Sequence, residues 1–126
     1  MVVPLRVAES FSLGAGPDPR GFDLVAGDGK VAGKVKEVWI DRADLLVRYL
    51  EVEVAGAGVR LVPMPLVKLD GETKRAKISA IHAHQLTDVP TTKEPDRITT
   101  LEEEKVSAYF AGGKLYADAK RLGPVL

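Results

Sequence analysis

Hydrophobic and polar residues alternate along most of the chain, the period that sends successive side chains to opposite faces of a β-strand. The clearest run is Leu45–Val54, in which Leu50, Val52 and Val54 fall on one side and Tyr49, Glu51 and Glu53 on the other. That pattern predicts a strand in a sheet with one aliphatic, buried face. Ala55-Gly56-Ala57-Gly58 interrupts the run and Val59–Met64 resumes it, which predicts a hairpin. An earlier hairpin is predicted from Phe22–Val25 and Val31–Ile40 around Gly27-Asp28-Gly29, and a later strand pair from Leu66–Leu69 and Ala76–Ile81 around Asp70-Gly71. Pro63 and Pro65 cannot donate to a ladder, so they mark a strand end or a sheet edge. Short antiparallel strands with tight turns favour a small barrel or rolled sheet, because closure removes exposed edges.

Two stretches break the alternation. Residues 1–21 carry Gly14, Gly16, Pro17, Pro19 and Gly21 without a sustained period, which predicts an extended strap packed onto a domain formed by residues 22–126. Beyond His84, Pro90 and Pro95 bracket a polar link, and Thr99 or Thr100 then precedes Glu102-Glu103-Glu104. Acidic residues in a first turn complement the helix dipole, so a helix is predicted over about 101–111, with Leu101, Lys105 and Ala108 sharing one face. Gly112-Gly113 is expected to stop it. The predicted class is mainly β: a small antiparallel barrel with an extended N-terminal strap and a C-terminal α-helix.

Composition narrows the function classes. With 126 residues, 45% of them hydrophobic and 29% charged, one compact core is expected. Eighteen basic residues balance eighteen acidic ones, so no net field recruits nucleic acid, and no nucleic-acid partner is expected. Cysteine is absent, which removes disulfides, thiolate nucleophiles and Cys-based zinc sites. No apolar stretch approaches the roughly 20 residues of a spanning helix. The chain has no Gly-rich phosphate loop, nucleophile elbow or H-E-x-x-H motif, and an enzyme is not expected.

The last third is more particular. Pro90-Thr91-Thr92 leads to Ile98-Thr99-Thr100-Leu101-Glu102-Glu103-Glu104-Lys105, and then to Tyr109-Phe110-Ala111-Gly112-Gly113-Lys114-Leu115-Tyr116-Ala117. This run resembles the C-terminal part of the H subunit of purple-bacterial photosynthetic reaction centres. Three further blocks resemble that family in the same order: Ala32–Asp41, Arg48–Glu53 and Arg60–Met64. The resemblance covers nearly the whole chain and implies a PRC-barrel, the small β-barrel of the cytoplasmic part of that subunit.

What the resemblance implies about function is specific. The H subunit caps the cytoplasmic face of the L and M subunits, which carry the bacteriochlorophyll and the quinones, and it shapes proton delivery to the secondary quinone while binding no cofactor itself. The full subunit is anchored by a transmembrane helix that this chain lacks, so a soluble fragment is expected, placed at the cytoplasmic face of the bacterial photosynthetic membrane. Carried over position by position, the family's acidic cluster falls on Asp41, Asp44, Arg48 and Glu103. Asp44 is a departure, because better-known members have Glu there. The same cluster makes chemical sense unaided: an Arg favours ionised carboxylates, whereas neighbouring carboxylates raise one another's pKa and can hold an exchangeable proton. The plainer account is a surface turn punctuated by Asp41 and Asp44, with Arg48 facing water. An exposed apolar cluster beside Arg48 and the 41–44 turn is what docking requires. The alternative function is a free-standing PRC-barrel adaptor for a protein or ribonucleoprotein partner, of the kind found in ribosome-maturation factors, which lack the helix-start and Y-F-A-G-G blocks.

Other candidates are weaker. His82 and His84 have the spacing that puts two imidazoles on one face of a strand, which suggests a surface metal site, but no Cys supports it and Asp88 is the sole nearby acid. Trp39, among Val35, Val38 and Ile40, reads as core or subunit interface. Glu102, Glu103 and Glu104 are successive on a helix, about 100° apart, and cannot converge on one ion.

Overall fold

The computed structural model describes residues 1–8 and 16–122, with 113–122 described by their helical backbone. Seven strands form one sheet: β1 (Val2–Pro4), β2 (Asp23–Val25), β3 (Val31–Asp41), β4 (Leu46–Val54), β5 (Gly58–Pro63), β6 (Val67–Asp70) and β7 (Arg75–Ile78). Among the described residues one α-helix, α1 (Thr100–Leu122), follows. The order across the sheet is β5-β4-β3-β2-β7-β6, with β1 added to β3. The mainly β class with a C-terminal helix is thus as the alternation predicts.

β3 organises the sheet because it is long enough to serve two partners on one side. β4 pairs with it from Gly33 to Asp41, while β2 takes the first half of its other edge and β1 the last three residues. Part of the expected strap is therefore a strand, with Val2 opposite Asp41 and Pro4 opposite Trp39. Residues 9–15 of that strap lie outside the described residues. One pair departs from the antiparallel expectation: β2 and β7 run parallel, Leu24 beside Ala76, as strands of two separate hairpins brought together by the roll. The outermost strands β5 and β6 are consecutive in sequence and joined by Met64–Leu66. A connection that short spans no more than about 15 Å, so the sheet must curl until its two ends approach. Pro63, opposite Tyr49, ends β5 at this corner, as a residue without an N–H to donate can.

Curling also explains a glycine. A Cβ on Gly33 would sit 2.4 Å from the carbonyl oxygen of Glu53 and 2.8 Å from Cγ1 of Val52, so β4 approaches β3 there more closely than any side chain permits.

The core fills the inside of the roll with Leu24, Val35, Val38, Leu50, Val52, Val62 and Ala76, and Ile81, Leu86, Val106 and Phe110 close over it. The expectation that only one face of β4 is buried needs correction. Leu50, Val52 and Val54 are buried as predicted, but Tyr49 and Glu51 are buried too, and of the opposite face Glu53 stays exposed. The cause is local cover. The N-terminal segment lies over this side, with Val3 and Ala8 packed on Ile40, and α1 and the residues before it cover the rest.

α1 begins with a reciprocal cap, Thr99 Oγ1 accepting from the Glu102 N–H at 3.1 Å and Glu102 Oε1 from the Thr99 N–H at 2.8 Å. Val106 and Phe110 are its buried residues in the first three turns, and the Tyr109 hydroxyl donates to the Gln85 carbonyl at 2.6 Å. Leu101, Lys105 and Ala108 do share a face, and it is the solvent face. The helix runs on through Gly112 and Gly113 to Leu122 rather than stopping at them. A helical Gly loses about 1 kcal/mol relative to Ala, a penalty the good helix formers after Gly113 offset, and Gly112 takes no positive φ.

Candidate functional site

The turn joining β3 to β4 is built by one carboxylate. Asp41 Oδ1 accepts from the backbone N–H of Ala43 at 2.9 Å and of Asp44 at 3.4 Å, folding residues 41–44 back on themselves. Leu45 completes the turn with φ 55°, a left-handed conformation that a branched side chain adopts only under constraint. Past the turn, Val47 pairs with Ile40 and Tyr49 with Trp39, so Arg48 is the extra residue of a β-bulge. Bulges re-aim side chains, and this one leaves Arg48 on the surface between the turn and the first turn of α1.

Arg48 Nη1 lies 3.7 Å from Asp41 Oδ2, and its Nη2 lies 4.0 Å from Glu103 Oε1. Glu103 is held more firmly by a residue the sequence does not single out: the buried Tyr49 hydroxyl donates to Glu103 Oε1 at 2.8 Å. Burial, and then the adjacent Glu103 carboxylate, push the Tyr49 phenol well above its ordinary range. The phenol is therefore a permanent donor near neutrality. Alternation alone places Tyr49 on the polar face of β4; a phenol on that face, able to bury its ring and offer its O–H, was the available signal.

Three of the four residues expected to act together thus meet: Asp41, Arg48 and Glu103. Asp44 joins through its backbone N–H alone, and its carboxylate is exposed, with no hydrogen bond or ion pair among the described residues. The N–H of Ala43, with Arg48 adding to it, holds the Asp41 carboxyl below the usual carboxylate range. A carboxyl stabilised in that way stays ionised at neutral pH. Asp41 is therefore a fixed negative charge at this turn.

Several exposed apolar side chains flank this charged group. Leu45, Leu46, Met1 and Val7 are 66%, 55%, 73% and 40% exposed. They are neighbours through Asp41 and Arg42: Val2 and Leu46 both pair with Asp41, the Arg42 N–H donates to the Met1 carbonyl, and Arg42 Nη2 donates to the Val7 carbonyl. These four exposed apolar side chains thus adjoin the 41–44 turn, where Arg42 and Asp44 are exposed as well.

The remaining sequence candidates resolve simply. His82 and His84 stand at the start of a short 3-10 helix (Ala83–Asp88), not on a strand, with ring centroids 6.0 Å apart. Among the described residues no group of three metal-ligating side chains forms around them, and the acid that approaches is Asp28, not Asp88: its Oδ1 accepts from the Ala83 N–H. Trp39 is 1% exposed and lies in the core, its Nε1 donating to Glu51 Oε1 at 3.0 Å. Glu102, Glu103 and Glu104 diverge, the first to the helix cap, the second to Tyr49 and the third to solvent.

A second polar cluster had no sequence signal beyond alternation. Glu37 and Glu51 face each other across β3 and β4, both buried. Arg6 bridges them: its backbone N–H donates to Glu37 Oε2 at 3.2 Å and its Nη1 to Glu51 Oε1 at 3.1 Å. The same guanidinium reaches Asp96 Oδ1 at 2.9 Å and the Pro95 carbonyl at 2.8 Å. Arg20 approaches Glu37 from the far side, 3.5 Å from Oε1. The two ends of the strap thus supply the cations for two opposed glutamates.

The fold is a small rolled sheet with a charged turn at one end and a C-terminal helix packed on it. Residues 14–85 match the PRC-barrel domain family, over more than half of the chain, and the protein belongs to that family. The match takes in Asp41, Asp44 and Arg48 and ends before Glu103.

Proposed function

We propose that this PRC-barrel protein is a non-catalytic subunit domain of a photosynthetic reaction centre, seated on the cytoplasmic face of the L and M subunits and supporting proton delivery to the secondary quinone. It binds no cofactor of its own in this reading; the bacteriochlorophyll and quinones belong to its partners. The observation that carries the reading is the coincidence of two features at one place: the Asp41–Arg48–Glu103 group and the exposed Met1, Val7, Leu45 and Leu46. Exposed apolar side chains set around charged ones are the mark of a docking surface, since burial on a partner strengthens the ion pairs at the centre. The four blocks that resemble the H subunit supply the identity of the partner.

The roles in this reading come from the resemblance, and the geometry is compatible with them. Arg48 stands between two carboxylates and holds a positive charge where the partner would approach. Asp41 is the fixed anion that positions it. In this reading Glu103, which accepts from Tyr49, and Asp44, whose carboxylate has no partner among the described residues, carry the proton-transfer role that the resemblance assigns. No helix of the described residues is long and apolar enough to cross a membrane. Membrane association in this reading therefore comes from the partner subunits and from a spanning helix outside this sequence.

The test is reconstitution onto reaction-centre cores stripped of their H subunit, with quinone reduction followed in the same sample. Saturable binding that restores proton-coupled transfer, weakened by Leu46→Asp and slowed by Asp44→Asn, is the expected result. A folded domain that does not bind the cores would overturn the reading in favour of a free-standing adaptor.

A further inference from the structure

A cavity of about 90 Å³ lies between the outer side of β4 and β5 and the segment running from Pro90 to Pro95. Its walls include Arg6, Trp39, Glu51, Arg60 and Thr91. None of these except Glu51 and Arg6 takes part in a side-chain ion pair among the described residues, and the Arg48 site lies elsewhere.

Arg60 is the unusual member. Its Nη1 and Nη2 donate to the carbonyls of Val59 and Thr87, each at 2.9 Å, which fixes the guanidinium with no carboxylate partner among the described residues. Its Nε is buried, with no acceptor among the described residues, and one further N–H on each of Nη1 and Nη2 is left over. A guanidinium so placed, with donors to spare and no carboxylate paired with it among the described residues, is suited to an anion. Arg6 adds a second guanidinium, with three of its N–H groups engaged by Asp96, Glu51 and Pro95 and others left over. Glu51 Oε1 receives both Arg6 and Trp39, whereas its Oε2 accepts from none of the described residues.

The wall is thus an uneven mixture of surplus donors from two arginines and one surplus carboxylate oxygen. A bare dianion would be repelled by Glu51. A monoanion that still carries an O–H satisfies all of them, its oxygens accepting from the arginines and its proton going to Glu51 Oε2. The volume corresponds to about three waters, enough for an ion of four or five heavy atoms. We propose that this cavity binds a small protonated oxyanion, with dihydrogen phosphate and bicarbonate as the two forms whose chemistry fits.

The single tryptophan of the chain lines the cavity, so the protein reports on its own site. Trp39 fluorescence and the Trp39 Nε1–H resonance would be followed during titration with inorganic phosphate at mildly acidic pH, with sodium sulfate and sodium chloride at matched ionic strength, and with bicarbonate at neutral pH. Phosphate should give a saturable change with a midpoint of roughly 1–10 mM, and sulfate, of the same shape without the proton, should be weaker by about tenfold or more. A bicarbonate response at lower concentration than phosphate would assign the site to that ion; the reverse order would assign it to phosphate. Arg60→Gln should weaken binding about tenfold, and Thr91→Val, a change at the exposed rim, serves if Arg60→Gln disturbs folding. Equal responses to phosphate and sulfate, or a linear drift with every salt, would overturn the proposal without recourse to any variant.

Discussion

Arg6→Ala is the sharpest test of how the N-terminal segment is held. Three side-chain hydrogen bonds disappear with the guanidinium. The bond to Asp96, itself 52% exposed, contributes about 0–1 kcal/mol, as surface ion pairs do. The bond to the Pro95 carbonyl contributes about 0.5–1.5 kcal/mol. The bond to Glu51 matters most, because that side chain is only 10% exposed and keeps Trp39 Nε1 as its one remaining donor. A charged hydrogen bond of that kind is worth roughly 1.5–3 kcal/mol. Arg6 is itself 39% exposed, which screens part of this and favours the lower half of the range. The expected loss is about 2–5 kcal/mol, or roughly 6–25 °C in Tm for a domain of this size.

Chemical denaturation of Arg6→Ala, Glu51→Gln and the double variant measures both the loss and its cause. If the loss arises from a buried carboxylate deprived of its cation, Glu51→Gln relieves it, and the double variant is more stable than the summed single losses by about 1 kcal/mol or more. Arg6→Lys recovers only part, since an ammonium cannot reach Glu51, Asp96 and Pro95 at once. A loss below about 0.5 kcal/mol for Arg6→Ala, or strict additivity in the cycle, would refute the reasoning and reduce the clasp to a surface decoration.

Four further outcomes are expected. Gly33→Ala should destabilise by roughly 2 kcal/mol or more, because its Cβ meets backbone at β4 that cannot yield without opening the ladder; urea denaturation reads it. Tyr49→Phe should cost about 0.5–1.5 kcal/mol by removing the donor to Glu103, and a double-mutant cycle with Glu103→Gln should show coupling. In acid, stability should fall as pH drops from about 5 toward 2. Asp18 beside Arg20, Asp41 under the Ala43 N–H, Asp70 bonded by Thr73 and Glu102 under the Thr99 N–H are all held below their unfolded values, so the unfolded chain takes up protons first. Glu102→Gln keeps the capping geometry and should flatten that slope in pH-dependent thermal melts. In alkali the sign reverses for Tyr49 and Tyr109: both phenols are raised by burial, so their contribution is complete below about pH 10 and is lost above it, and phenolate absorbance should appear together with unfolding.

The strands were legible because alternation and turn chemistry agree. Asp70-Gly71 and Gly27-Asp28-Gly29 lie in tight turns flanked by the predicted runs, and Pro63 marks a true strand end. What alternation could not convey was cover from elsewhere in the chain. Glu51 occupies a polar position in period-two terms and is buried nonetheless, because Arg6 and Trp39 both donate to its Oε1 from 45 and 12 residues away. A local pattern contains no information about so distant a partner. The helix end was misjudged for a related reason: Gly112-Gly113 is a local stop signal, and the helical preference of the residues around it outweighed that signal.

The candidate site was legible in its members and not in its geometry. Asp41, Arg48 and Glu103 could be named from residue type and resemblance, but their meeting depends on a bulge at Arg48, and a bulge is a matter of register rather than of composition. Without it, Arg48 would alternate onto the same side as Leu46 and Leu50, away from Tyr49. With it, Arg48 and Tyr49 both address the start of α1, the charge at 4.0 Å and the phenol at 2.8 Å from the same oxygen of Glu103. This gives the site an internal check. A one-residue deletion at position 48 removes the bulge and the guanidinium together and leaves Tyr49 opposite Trp39, so the sheet and the Tyr49 bond to Glu103 should persist while the Arg48 contact is lost, which the Glu103 carboxyl resonance in carbon-detected NMR reads against the same signal in Tyr49→Phe. If the deletion also releases Glu103 from Tyr49, the bulge sets the placement of Tyr49 as well, and the two contacts are one device.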